Sequence, residues 1–231
     1  MALVDLLGAM SELVLPHSCA GCRAPGRALC AGCRPTGLPR ACAVAGLSVF
    51  AAGDYQDGMR AALIAYKERG RTELARPLGT LLAAAVQAVD ERAGPACLVP
   101  IPSAARARRE RGGDHVLRLA RTASRVSGVP VFRALRLDHE VRDSAGLDRG
   151  ERATNLAGAF TAMRCSDGRR PIVVDDIVTT GATLREAVRA LESAGWPTPV
   201  AAVVAATPRR FGTTRRGPWR GAGATSTVGM T

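Results

Sequence analysis

Pro171-Ile172-Val173-Val174-Asp175-Asp176-Ile177-Val178-Thr179-Thr180-Gly181-Ala182-Thr183-Leu184 is the stretch on which the reading of this chain turns. Pro171 to Val174 is an unbroken apolar run, the pattern of a strand buried on both faces. It ends in two adjacent carboxylates. After the apolar pair Ile177-Val178, Thr-Thr-Gly-Ala-Thr opens a helix expected from about Ala182 to Ala194 and stopped by Gly195. A helix start presents unpaired N–H groups and a partial positive charge, so the hydroxyls of Thr179, Thr180 and Thr183 with Gly181 and Ala182 suit a phosphate. Gly181 is expected to let the backbone approach that anion closely. Carboxylates do not bind phosphate; they accept from hydroxyls or hold metal. Asp175 and Asp176, placed at the carboxyl end of a sheet strand, therefore fit the hydroxyls of a sugar phosphate whose phosphate sits on the loop.

Outward from that stretch, apolar runs alternate with helical patterns. Leu47 to Ala52, Cys97 to Pro102 and Pro199 to Ala206 read as strands, and Val131 to Leu137 as a shorter one. Met59 to Arg69 and Thr72 to Arg92 read as helices separated by Gly70. Ala104 to Ser127 reads as an Arg-rich helix broken at Arg111-Gly112-Gly113-Asp114. The alternation predicts an α/β fold with a largely parallel sheet, spanning 47–206. Residues 138–154 are charged and poor in apolar anchors, which predicts an exposed, mobile loop, either a functional lid (a hood) or disordered. The Arg- and Gly-rich residues 207–231 read as a disordered basic tail.

The net charge of +12 favours polyanionic partners, phosphorylated metabolites or nucleic acid. Nearly all of the basic residues are Arg; Lys67 is the one lysine and Asn155 the one asparagine, which marks both for scrutiny. The opening residues 1–16 read as a short amphipathic helix with Asp5 and Glu12 inside its apolar run, not as a secretory leader, and no stretch is apolar for the length of a membrane span. A cytoplasmic, reducing location is expected. There, clustered cysteines more often bind metal than form disulfides. Cys19-x-x-Cys22 and Cys30-x-x-Cys33, within a Gly- and Pro-rich segment at 17–42, suit four-thiolate Zn2+ in a knuckle whose missing apolar core the metal replaces. A redox C-x-x-C and an iron–sulfur cluster are the rival readings.

The segment Pro171–Leu184 resembles the phosphoribosyl-pyrophosphate motif of type I phosphoribosyltransferases. That resemblance implies ribose contacts from Asp175 and Asp176, a 5-phosphate loop at Thr179–Thr183, and Mg2+ bridging the pyrophosphate. Thr179 stands where hypoxanthine-guanine-type enzymes carry an Asp at the purine, so purine salvage is not implied.

The combination with the cysteine knuckle resembles the ComF/GntX competence-protein family. Leu63-Ile64-Ala65-Tyr66-Lys67 after Tyr55 is similar to one of its segments. So is Leu98–Pro102 followed by Arg108, Arg111 and Gly112; there the family continues with Phe-Asn-Gln and this chain with Gly113-Asp114-His115. Arg142, Glu151-Arg152 and Asn155 through Phe160 resemble a further segment. The resemblance implies that Pro102 and Ser103 lie on the pyrophosphate loop, with Lys67 and Arg111 supplying charge. Two functions stay open: transfer of a phosphoribosyl group to an unknown acceptor, and a non-catalytic competence factor for DNA uptake that binds single-stranded DNA and other competence proteins.

Overall fold

The computed structural model describes residues 18–89, 94–110, 112–138, 158–165, 168–197 and 199–208. The helix expected over 1–16, most of the hood, the basic tail beyond 208, Arg111 and Asn155 lie outside the described residues.

The described residues form seven strands: β1 (Arg40–Val44), β2 (Leu47–Asp54), β3 (Ala96–Pro100), β4 (Leu135–Leu137), β5 (Phe160–Ala162), β6 (Arg170–Val178) and β7 (Val200–Ala206). The main helices are α1 (Asp57–Glu68), α2 (Ala75–Gln87), α3 (Ala105–Glu110), α4 (His115–Ser127) and α5 (Ala182–Ser193). The central sheet has the order β1-β2-β7-β6-β3. β2, β7, β6 and β3 run parallel, and β1 closes one edge antiparallel to β2. β4 and β5 form a separate antiparallel pair. The chain is thus mixed α/β, with a mostly parallel sheet flanked by helices.

β7 is apolar at every position because both of its faces are covered. Ala202 and Val204 belong to one core with α1, α2 and α4, while Ala201 and Val203 belong to a second core with α5 and the β4–β5 pair. On the first face α2 and α4 pack at very short range: a Cβ on Gly79 would lie 3.1 Å from the Leu119 carbonyl oxygen and closer still to Thr122. On the second, the Trp196 indole N–H donates to the Met163 carbonyl at 2.8 Å, tying the turn after α5 to the strand pair.

Three differences from the sequence reading have physical causes. β6 does not end at Val174; Ile177 and Val178 keep pairing with Ala205 and Ala206 of β7, so the two acids lie inside a strand. Val131 forms a single bridge to Leu98, and the strand begins only at Leu135. Arg40 to Cys42, read as the end of the knuckle, pair with Val49–Ala51 and start β1. The break at Gly112-Gly113-Asp114 is present, and Asp114 caps α4 by accepting from the Leu117 amide at 3.1 Å.

Candidate functional site

The carboxyl ends of β6 and β3 open onto a cleft of about 420 Å³. Its walls include Tyr55, Lys67, Pro102, Ser103, His115, Asp175, Asp176, Thr179 and Thr183. They arrive from several different elements. Lys67 ends α1, Ser103 follows β3, His115 opens α4, the acids lie in β6, and Thr183 is in the first turn of α5.

Neighbouring residues of a strand point to opposite faces, so the two acids meet different surroundings. Asp176 is 2% exposed and turns towards α1 and α4. His115 Nε2 lies 3.2 Å from its Oδ2, and Lys67 Nζ lies 3.6 Å from the same atom. Lys67 is too far for a hydrogen bond, and Oδ2 is a buried oxygen without one. The other oxygen, Oδ1, accepts from the Ile177 amide at 2.8 Å. Burial opposes ionisation of Asp176, but the His115 imidazole and the Lys67 ammonium outweigh it and hold the carboxyl below the usual carboxylate range. Asp175 is half-buried, and its Oδ1 accepts from the Asp176 amide at 2.8 Å. Burial and then the Asp176 charge push its carboxyl well above the ordinary range, against the pull of Lys67. The two carboxyls of the pair are thus pushed in opposite directions, Asp176 down and Asp175 up.

The loop after β6 divides. Thr179 and Thr183 line the cleft; Thr180, Gly181 and Ala182 are not among its lining residues. The Thr180 hydroxyl accepts from the Ala182 amide at 3.4 Å. Gly181 is buried with φ +81°, and a Cβ there would meet Val44 Cγ1 at 2.8 Å and Ala45 Cβ at 3.1 Å. Its missing side chain makes room for the β1–β2 turn; the expectation of anion approach does not account for that contact. Ser103 lines the cleft with its amide and hydroxyl both 3.3 Å from the Asp114 carboxylate. Sequence reasoning did not assign a role to His115 or Asp114. The one available signal was the position of His115 directly after the helix-breaking Gly-Gly-Asp.

The cysteine pairs converge. The sulfurs of Cys19, Cys22, Cys30 and Cys33 all lie within 4.8 Å of one another, with Cys22 and Cys30 at 3.6 Å. Tetrahedral thiolates at about 2.3 Å from Zn2+ stand about 3.8 Å apart, so the four donors fit that ion. The amides of Gly21 and Cys30 each donate to the Cys19 sulfur at 3.4 Å. Burial works against a Cys19 thiolate, yet the amides of Cys30, Cys22 and Gly21 bring it down to about 6. Burial, with the neighbouring thiols, pushes Cys33 up to about 12. A Cβ on Gly21 or Gly58 would strike the Cys33 sulfur, at 2.6 and 2.7 Å. The cluster is therefore seated on the start of α1, the helix that carries Lys67. Arg71 ties it down again by donating to the Ser18 carbonyl at 2.8 Å.

The family model of the phosphoribosyl transferase domain matches residues 118–222, a span that contains the acid pair and the loop after it. Residues 118–222 are thus similar to a phosphoribosyl transferase domain, and a four-cysteine cluster able to hold a metal ion precedes them. Lys67, Ser103 and His115, which complete the cleft, precede the matched span. No curated protein matches the chain. Among the described residues, no helix is long and apolar enough to cross a membrane.

Proposed function

We propose that the cleft binds phosphoribosyl pyrophosphate as its Mg2+ complex and that the domain transfers the phosphoribosyl group, in the manner of the ComF-like proteins its sequence resembles. The observation that carries this is the unsatisfied Oδ2 of Asp176. A buried acceptor without a donor costs about 1–3 kcal/mol, and a ribose hydroxyl is a donor of the right size for it. Asp175 stands beside it for a second hydroxyl. Thr179 and Thr183, with the start of α5, face the 5-phosphate, and Ser103 and Lys67 face the pyrophosphate.

Mg2+ prefers phosphate and water oxygens, and it would enter on the pyrophosphate and neutralise that leaving group. The chain's own part is electrostatic. As the bond from C1 of the ribose to pyrophosphate breaks, positive charge develops on the ring, and the ionised Asp176 lies close by to stabilise it. Lys67 offsets charge on both the acid and the departing group. The cysteine cluster is proposed as a structural Zn2+ site, because four soft donors converge on the foot of a helix that serves the cleft.

Calorimetric titration of phosphoribosyl pyrophosphate with Mg2+ tests the binding step. Wild type is expected to bind, and Asp175→Ala/Asp176→Ala to lose at least about 100-fold in affinity, corresponding to two lost acceptors. Unchanged binding by the double variant removes the reading. Pyrophosphate release measured across a panel of nitrogenous acceptors then tests transfer.

A further inference from the structure

Three polar groups from three elements meet at the back wall of the cleft. Ser103 Oγ lies 3.2 Å from His115 Nδ1, and His115 Nε2 lies 3.2 Å from Asp176 Oδ2. His115 is 7% exposed, too buried to be a surface residue that drifted inward. Its backbone is held as well: the Tyr66 hydroxyl donates to its carbonyl at 2.9 Å, and the Tyr66 ring meets the imidazole edge-on. The groups facing the ring are thus Ser103 after β3, Asp114 behind Ser103, Tyr66 and Lys67 of α1, and Asp176 of β6.

The proton arrangement is constrained. The Ser103 hydroxyl has one proton and two neighbours that can accept it, Asp114 Oδ1 and His115 Nδ1. Given to Nδ1, it leaves the imidazole proton on Nε2. Given to Asp114, it leaves the Ser103 oxygen to accept from Nδ1–H. In both arrangements the Nε2 edge of the ring faces Asp176 at 3.2 Å.

We propose that His115 is a positioning residue of this site, bridging Ser103 to Asp176 so that the loop facing the pyrophosphate and the acceptor for the ribose hold one fixed relation. The proposal rests on the phosphoribosyl reading above and adds a residue outside the matched span. A bridge of this kind holds the Asp176 carboxylate in place, with Oδ2 between His115 at 3.2 Å and Lys67 at 3.6 Å.

The test compares His115→Gln, His115→Asn and His115→Ala. The Gln amide nitrogen reaches the place of Nε2, whereas Asn reaches only that of Nδ1. Ribose 5-phosphate, phosphoribosyl pyrophosphate with Mg2+, and inorganic phosphate are the probes, titrated calorimetrically. His115→Ala and His115→Asn are expected to weaken both sugar phosphates at least about tenfold, the size of one close polar contact to a charged group. His115→Gln is expected to stay within about threefold of wild type, and inorganic phosphate to change less than about twofold for all three. Equal affinities of the Asn and Gln variants overturn the proposal, and so does wild-type affinity in His115→Ala. Thermal melts identify any variant that fails to fold; the Asn–Gln pair, similar in polarity and bulk, then carries the decision. If wild type binds neither sugar phosphate, the phosphoribosyl reading fails and takes this inference with it. Loss of the inference alone appears as intact wild-type binding with no dependence on residue 115.

Discussion

Gly181→Ala separates two reasons for a glycine at the head of α5. Its φ of +81° lies in the left-handed region, where a side chain costs about 1–2 kcal/mol. The added methyl would also stand 2.8 Å from Val44 Cγ1 and 3.1 Å from Ala45 Cβ, both on the short turn between β1 and β2. Overpacking of that kind costs about 1–3 kcal/mol. The stiffer unfolded chain returns about 0.4–1 kcal/mol. The net expectation is a loss of roughly 2–4 kcal/mol in the ligand-free protein, a fall in melting temperature of about 5–15 °C for a chain of this size. Urea denaturation without any phosphate ligand measures it. In a double-mutant cycle, Val44→Ala should relieve about 1 kcal/mol or more of the penalty, because the nearest contact is removed while the backbone strain stays. A Gly181→Ala protein as stable as wild type, but with weakened sugar-phosphate binding, would refute this reasoning and restore the glycine to the anion.

Gly79→Ala is expected to destabilise by about 1–3 kcal/mol in spite of alanine's better helix propensity, since the new methyl is forced against Thr122 and the Leu119 carbonyl; chemical denaturation checks the sign. Purified protein should carry about one equivalent of zinc per chain by elemental analysis, and chelation or Cys22→Ser should lower both the metal content and the melting temperature. Metal-free preparations that melt identically would exclude a structural zinc. Glu186 is buried, which opposes its charge, but Arg189 donates to both its oxygens at 2.8 and 2.7 Å and holds it below the ordinary glutamate range. A depressed acid contributes stability above its unfolded-state pKa and loses it as pH falls through the folded value. The acid limb of the stability profile should therefore flatten in Glu186→Gln, while a profile parallel to wild type would show that the pair contributes nothing.

Much of the site could be read from local pattern. The acid pair follows an apolar run and precedes a helix start, and those features depend only on residues a few positions apart. The same holds for the Gly-Gly-Asp break before α4, for the alternation of strands and helices, and for the spacing of the two C-x-x-C pairs. Where the expectation slipped, a distant partner had intervened. β6 runs past Asp176 because β7, over twenty residues later, continues to offer hydrogen bonds. Arg40 to Cys42 leave the knuckle because β2 can pair with them.

The sequence by itself determined the chemistry available: two adjacent acids, a run of threonines at a helix start, four thiols in two pairs, and one lysine. Tertiary structure alone decided how those groups divide their work. Only packing of α1 and α4 against β6 brings Lys67 and His115 to Asp176, from which each is more than fifty positions distant, and pulls its carboxyl down while that of Asp175 is pushed up. Only the approach of the β1–β2 turn gives Gly181 a steric neighbour. Local pattern records what a residue can do; burial and the charges it faces are set by chain segments far away in sequence, and these decide which carboxylate is ionised and which glycine is indispensable.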